Sequence, residues 1–145
     1  MKLSAHFDLS EFERSATASR YGIDNQVPPS LIPNLRRLCD QVLEPLRAYA
    51  GRPIVINSGY RSPLLNFHPK VRGSARSQHM TGEAVDIRVP DSATGNRWFL
   101  FLMNHCPFDQ LIRERPTRDS DTFWIHVSLK ASDNRRQVIS NLIKD

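Results

Sequence analysis

The sequence of 145 residues predicts a single α+β domain spanning residues 1–145, a small antiparallel sheet flanked by helices. Three observations lead there. Leu31, Leu35, Leu38, Val42 and Leu46 recur at helical spacing and form one apolar face. Ala84–Val89 and Thr122–Leu129 alternate with the period of two that marks strands. The length suits one domain with a real core, and no repeat or long linker divides it.

Taken in order, Ser10-Glu11-Phe12-Glu13 has the spacing of a capping box and should open a helix running to about Arg20, ended by Tyr21-Gly22. Asn25–Pro29 reads as an ordered turn. The apolar stripe predicts a helix from Ser30 to Ala50 that Pro45 kinks or interrupts and Gly51 stops. Pro53–Asn57 reads as a short strand and Leu64–Gln78 as a surface loop broken by Pro69 and Gly73. Ala84–Val89 is expected to be a half-buried strand. Asp91 or Ser92 caps a helix to about His105, with Trp98 and Leu102 facing inward. Strands at Asp109–Glu114 and Thr122–Leu129 follow. Asn134–Ile143 fits helix or strand equally well.

Hydrophobic content of 39% and charged content of 24% describe a globular chain, and no apolar run approaches the ~20 residues of a membrane-spanning helix. The net charge of +5 comes from scattered basic residues without a stripe or stacking aromatics, so it points to no nucleic-acid partner. A basic surface suits anionic wall polymers equally well. Cys39 and Cys106 lack any C-x-x-C partner, which disfavours a zinc finger or disulfide framework and leaves two buried thiols. Residues 1–8 lack the continuous apolar core of a secretory signal. Three routes fit that: action in the cytoplasm, phage-type release, or a signal removed upstream.

The chemistry concentrates in Ser77-Gln78-His79-Met80-Thr81-Gly82-Glu83-Ala84-Val85-Asp86 and in Trp124-Ile125-His126. The glycine-containing turn after His79 can bring its imidazole back beside Asp86. His126 lies on the face of its strand opposite Ile125 and Val127. Taken singly, such residues are most often solvated or simply satisfied. Together they offer three N/O ligands with a fourth position left for water, as catalytic zinc sites do.

S-x-H-x-x-G-x-A-x-D followed by W-x-H resembles the signature of the zinc D-alanyl-D-alanine carboxypeptidases and L,D-endopeptidases, peptidase family M15. The resemblance extends to His6-Phe7, Ser15–Ala18, Leu43–Arg47, Ser58–Pro63, Phe108–Glu114 and Trp124–Ser128. It implies a hedgehog/DD-peptidase-like fold, with His79, Asp86 and His126 as ligands of Zn2+. It also implies that Arg61 grips a substrate carboxylate, a task that suits a bidentate guanidinium; a salt bridge tying down its loop is the alternative. Ser77 orients substrate or stabilises the turn before His79, and Trp124 forms a wall of the groove or part of the core.

Many relatives carry an acid three positions before the last histidine, where this chain has Phe123. In the branch it resembles, an acid instead ends the preceding strand as L-I-x-E, which is Glu114. Strand parity agrees, because a hairpin of 110–114 with 122–127 sets Glu114 beside Trp124 and His126. Asp119 and Asp121 are weaker candidates. The expected activity is hydrolysis of peptidoglycan stem or cross-link peptides at the bacterial cell wall, by a monomer. The alternative is a zinc-containing module of this fold that binds wall peptide without cutting it.

Overall fold

The computed structural model describes residues 1–144. Strands β1 (Lys2–Ser4) and β2 (Phe7–Asp8) form a small ribbon at the start of the chain. Asp8 then caps helix α1 (Leu9–Glu13), with Glu11 reaching back to the Asp8 backbone N–H at 2.7 Å. The capping box therefore sits two residues earlier than Ser10 and Glu13 suggested. The expected single helix is also two. Arg14 is extended, and the Ser15 hydroxyl caps α2 (Ala16–Tyr21) by accepting from the Ala18 N–H.

The stripe from Leu31 to Leu46 is one helical path of changing pitch. A 3₁₀ turn (Pro29–Leu31) leads into α3 (Ile32–Leu38), then into a π-helical stretch (Cys39–Leu43) and α4 (Glu44–Ala50). Pro45 has no N–H to donate and would crowd the carbonyl four residues back. The wider π turn just before it, closed by the Glu44 N–H on the Cys39 carbonyl, lets the chain pass without breaking. Leu35, Leu38, Cys39, Val42, Leu43 and Leu46 are all fully buried along it.

A five-stranded sheet carries the site. Its order is β3 (Ile56–Ser58), β4 (Ala84–Arg88), β6 (Trp124–Ser128), β5 (Gln110–Arg115) and β7 (Gln137–Ile143). The first four strands pair antiparallel, as expected, but β7 runs parallel to β5, so the sheet is mixed. After β6 the chain turns through 129–136 and passes β5 to pair on its far side, helped by the Gln137 N–H donating to the Asp109 carbonyl. One face of the sheet packs on the helical path and on α6 (Ser92–His105), through Val85, Ile87, Leu111, Ile125, Val127, Trp98 and Leu102. Burying these apolar side chains is the main favourable term holding the layers together.

Three further expectations change. β4 is buried on both faces from Ala84 to Ile87, because the polar face lies under the functional cleft and not in open solvent. The surface loop expected at Leu64–Gln78 opens instead inside helix α5 (Pro63–Asn66), which buries Leu65 and Asn66. The strand expected at Pro53–Asn57 starts only at Ile56.

Candidate metal centre and cleft

The polar face of the sheet gathers the candidate residues by register alone. Asp86 on β4 stands directly opposite His126 on β6, while Glu114 on β5 stands opposite Trp124 and Ile112 opposite His126. The fourth contributor arrives through a turn. Ser77 accepts from the His79 N–H and caps the 3₁₀ turn Gln78–Thr81, which Gly82 ends at φ +71. A left-handed glycine is what allows this tight reversal straight into β4.

His79 is only 2% exposed. Its Nδ1 lies 2.7 Å from the Gly59 carbonyl, so the ring proton belongs on Nδ1 and donates there. Gly59 is held against α1, where a Cβ would lie 2.7 Å from the Phe12 Cα, so no larger residue fits. The Arg61 N–H in turn donates to the His79 carbonyl. Buried Asn25 ties down the same segment, donating to the Glu13 and Tyr60 carbonyls and accepting from the Ser62 N–H.

His79 Nε2 is buried without a hydrogen-bond partner. It lies 3.4 Å from Asp86 Oδ1, which is 2.9 Å from His126 Nδ1. Ligand atoms of the three residues all fall within 4.8 Å of one another. A tetrahedral zinc site with bonds of about 2.0–2.1 Å would separate its ligand atoms by about 3.3 Å. The orphaned nitrogen, the fixed tautomer and these spacings fit a metal ion held by His79, Asp86 and His126.

The charges around the cluster reinforce one another. Burial alone would raise the Asp86 carboxyl, but the facing imidazoles of His79 and His126 outweigh it and hold it well below the carboxylate range. Burial pushes the His79 imidazole down, against the opposing pull of the Asp86 charge. Glu114 lies 3.9 Å from His126 Nδ1. Its carboxyl is pushed up, first by burial and then by the Asp86 charge.

Arg61 is 8% exposed beneath this cluster. Its Nε donates to the Ser58 hydroxyl and its Nη1 to Asn66 Oδ1, while Nη2 lies 3.6 Å from Asp86 Oδ2. With five N–H groups, the guanidinium keeps donors in reserve. Arg61, Ser77, His79, Asp86, Glu114 and His126 line one cleft of about 490 Å³. Trp124 is not among its lining residues; the side chain is half-buried and its indole N–H has no partner. Phe123 is in the core, with the Arg113 guanidinium over its ring. Asp119 and Asp121 lie outside the cleft, and His6 and His68 are engaged with Glu44 and Tyr21.

Several contributors escaped the sequence reading. Gln110, Arg135 and Lys144 also line the cleft. Asp109, fully buried, accepts from Arg135 and from the side chain of Gln78, the neighbour of His79. Its carboxyl is held at about 2, chiefly by the Arg135 hydrogen bonds, against the opposing effect of burial. Nothing local marks Asp109, since its partners lie 26 and 31 positions away.

Two imidazoles and a carboxylate at the floor of an open cleft, with a second carboxylate alongside, form the layout of a metal-dependent hydrolase. The chain belongs to the peptidase M15 family, whose pattern it matches over residues 5–128. A search of curated proteins finds no match. Among the described residues no helix is long and apolar enough to cross a membrane.

Proposed function

We propose that the protein is a zinc-dependent peptidase of bacterial cell-wall peptides, working as a monomer on the stem or cross-link peptides of peptidoglycan. Membership of the M15 family supports peptide hydrolysis, and the resemblance of its motifs to the D-alanyl-D-alanine carboxypeptidase and L,D-endopeptidase branch supports the wall substrate. The observation that carries the reading is Glu114, set 3.9 Å from His126 in the cleft above the orphaned nitrogen of His79.

A zinc ion held by His79, Asp86 and His126 would supply Lewis acidity, enough to bring a water's pKa towards ~7 and to polarise a carbonyl. Glu114 takes the proton of the attacking water on its carboxylate and hands it to the leaving amine. Arg61 uses its spare donors to hold a substrate carboxylate, and Ser77 keeps the turn before His79 in place while bordering the cleft.

Phe123, where relatives carry an acid, leaves room for a module that binds wall peptide without cutting it. One digest separates the two readings. Purified peptidoglycan peptides are incubated with the zinc-loaded protein, with and without chelator, and the products are weighed by mass spectrometry. Release of shortened peptides that stops with chelator is the expected result. Intact peptides under all conditions, with peptide binding retained, would replace the enzyme by the binding module.

A further inference from the structure

The metal cluster does not sit at the end of its cleft. A second basin of about 400 Å³ adjoins the first, and the two share Arg61, Arg72, Asp86 and Lys144. The second basin extends toward α2, with Ser15, Thr17, Asn57 and Ser58 as its polar lining. The first extends the other way, along β5 and β7, past Ile112 and Leu142. Each basin alone is within the ~300–1,000 Å³ of an ordinary ligand site. Asp86 therefore borders both basins, and the groove continues from the basin that His79 and His126 line into the second.

Both directions are basic. Arg76 and Arg135 line the first basin, Arg14 and Lys70 the second, and Arg72 and Lys144 border both. Among the described residues, the facing carboxylates are Asp86, committed to the cluster, and Glu114. Arg135 is anchored by Asp109, and Lys144 follows β7, so part of this cationic wall comes from residues beyond the 5–128 family match. Fields of one sign inside a cleft concentrate ligands of the other.

We propose that the groove takes an acidic peptide running through both basins and that hydrolysis falls on an internal bond, so the protein is an endopeptidase and not a carboxypeptidase. This rests on the peptidase reading above. A carboxypeptidase has to place only the departing terminal residue on one side of the metal, which needs no second basin of nearly equal size. Water adds across the internal amide: the bond from the carbonyl carbon to nitrogen breaks, the water's hydroxyl bonds to that carbon to give the new carboxylic acid, and its other proton goes to the leaving amine. Both products are then peptides.

Two defined substrates test this with the zinc-loaded full chain: a wall stem peptide with a free carboxyl terminus, and a cross-linked dimer of such stems. Fragments longer than one residue on both sides of the cut are the expected products. Release of a single terminal residue, with no internal cut, would overturn the endopeptidase assignment and leave the peptidase reading standing. No metal-dependent hydrolysis of either would overturn both. Binding gives a separate readout in Glu114→Gln, followed by fluorescence anisotropy. Extending a peptide from one basin into both should tighten binding about tenfold. Thr17→Trp, which fills the second basin, should bring that ratio close to one, and Lys144→Ala should reduce the preference for acidic over amidated peptides. A ratio near one in the parent, or an equal affinity for amidated peptides, would refute the two-sided acidic groove.

Discussion

Asp109→Asn isolates one charge while keeping the side chain's size. The Asp109 carboxylate is fully buried and accepts from Arg135 through the backbone N–H at 2.8 Å and Nη2 at 2.6 Å, and from Gln78 Nε2 at 3.1 Å. Its carboxyl falls from 3.8 to about 2 in the folded chain, with the Arg135 hydrogen bonds outweighing burial. Each unit is worth about 1.4 kcal/mol, so the charge stabilises the fold by roughly 2 kcal/mol near neutral pH. The group's folded pKa is depressed, so this stability is present above about pH 4 and is lost as pH falls through about 2. Urea unfolding at pH 7 should show the asparagine variant less stable by about 2–3 kcal/mol. By pH 3 the gap should shrink to roughly half. Equal stability at pH 7, or a gap that ignores pH, would refute the assignment of this stability to the carboxylate's charge.

Four further outcomes follow from the same geometry. Glu114→Gln should keep bound zinc but lose turnover by about 100-fold or more, read by metal analysis beside product formation; unchanged hydrolysis would remove Glu114 from the scheme. Chelation should lower the melting temperature and added zinc restore it, because a ligand that binds only the folded state stabilises it. Gly59→Ala should destabilise by about 1–3 kcal/mol in urea titrations, since the added carbon would meet the Phe12 Cα at 2.7 Å. The native protein should resist a thiol reagent until unfolded, because burial pushes Cys39 up to about 12 and Cys106 to about 11.

The metal cluster was legible because short-range rules place it. A period of two sets Asp86 and His126 on the polar faces of their strands, and a glycine turn returns His79 to them. Glu114 came from the resemblance, through the L-I-x-E ending of the preceding strand, with parity in agreement; its pairing with Trp124 gives that register. The features that depend on tertiary contact were not readable. The parallel pairing of β7 with β5 depends on how the 129–136 turn is held by Asp109, and the segment's alternation fitted helix or strand. The double burial of β4 depends on a cleft built over it by Arg61 and the Ser77 turn. Pro45 signalled an interruption, but only the packing of its neighbours decides that a π turn absorbs it.

Ser15–Ala18 shows how a motif can be visible without its use. The segment belongs to the resemblance, and its spacing gave only a helix. In the fold, Ser15 caps α2 and borders the second basin with Thr17, across from Arg61. Arg61 ties its loop down through Ser58 and Asn66 and also lines the cleft, so the tie to the loop and the proposed grip on a substrate carboxylate do not exclude each other.

The central claim is that His79, Asp86 and His126 form one zinc site. Its most direct test is the zinc content of the purified, folded chain beside His79→Ala, Asp86→Ala and His126→Ala, measured by mass spectrometry of the metal after dialysis against trace zinc. One equivalent is expected in the parent and a near-complete loss in each variant, with circular dichroism showing the fold retained. Zinc retained at one equivalent in any folded variant would contradict it.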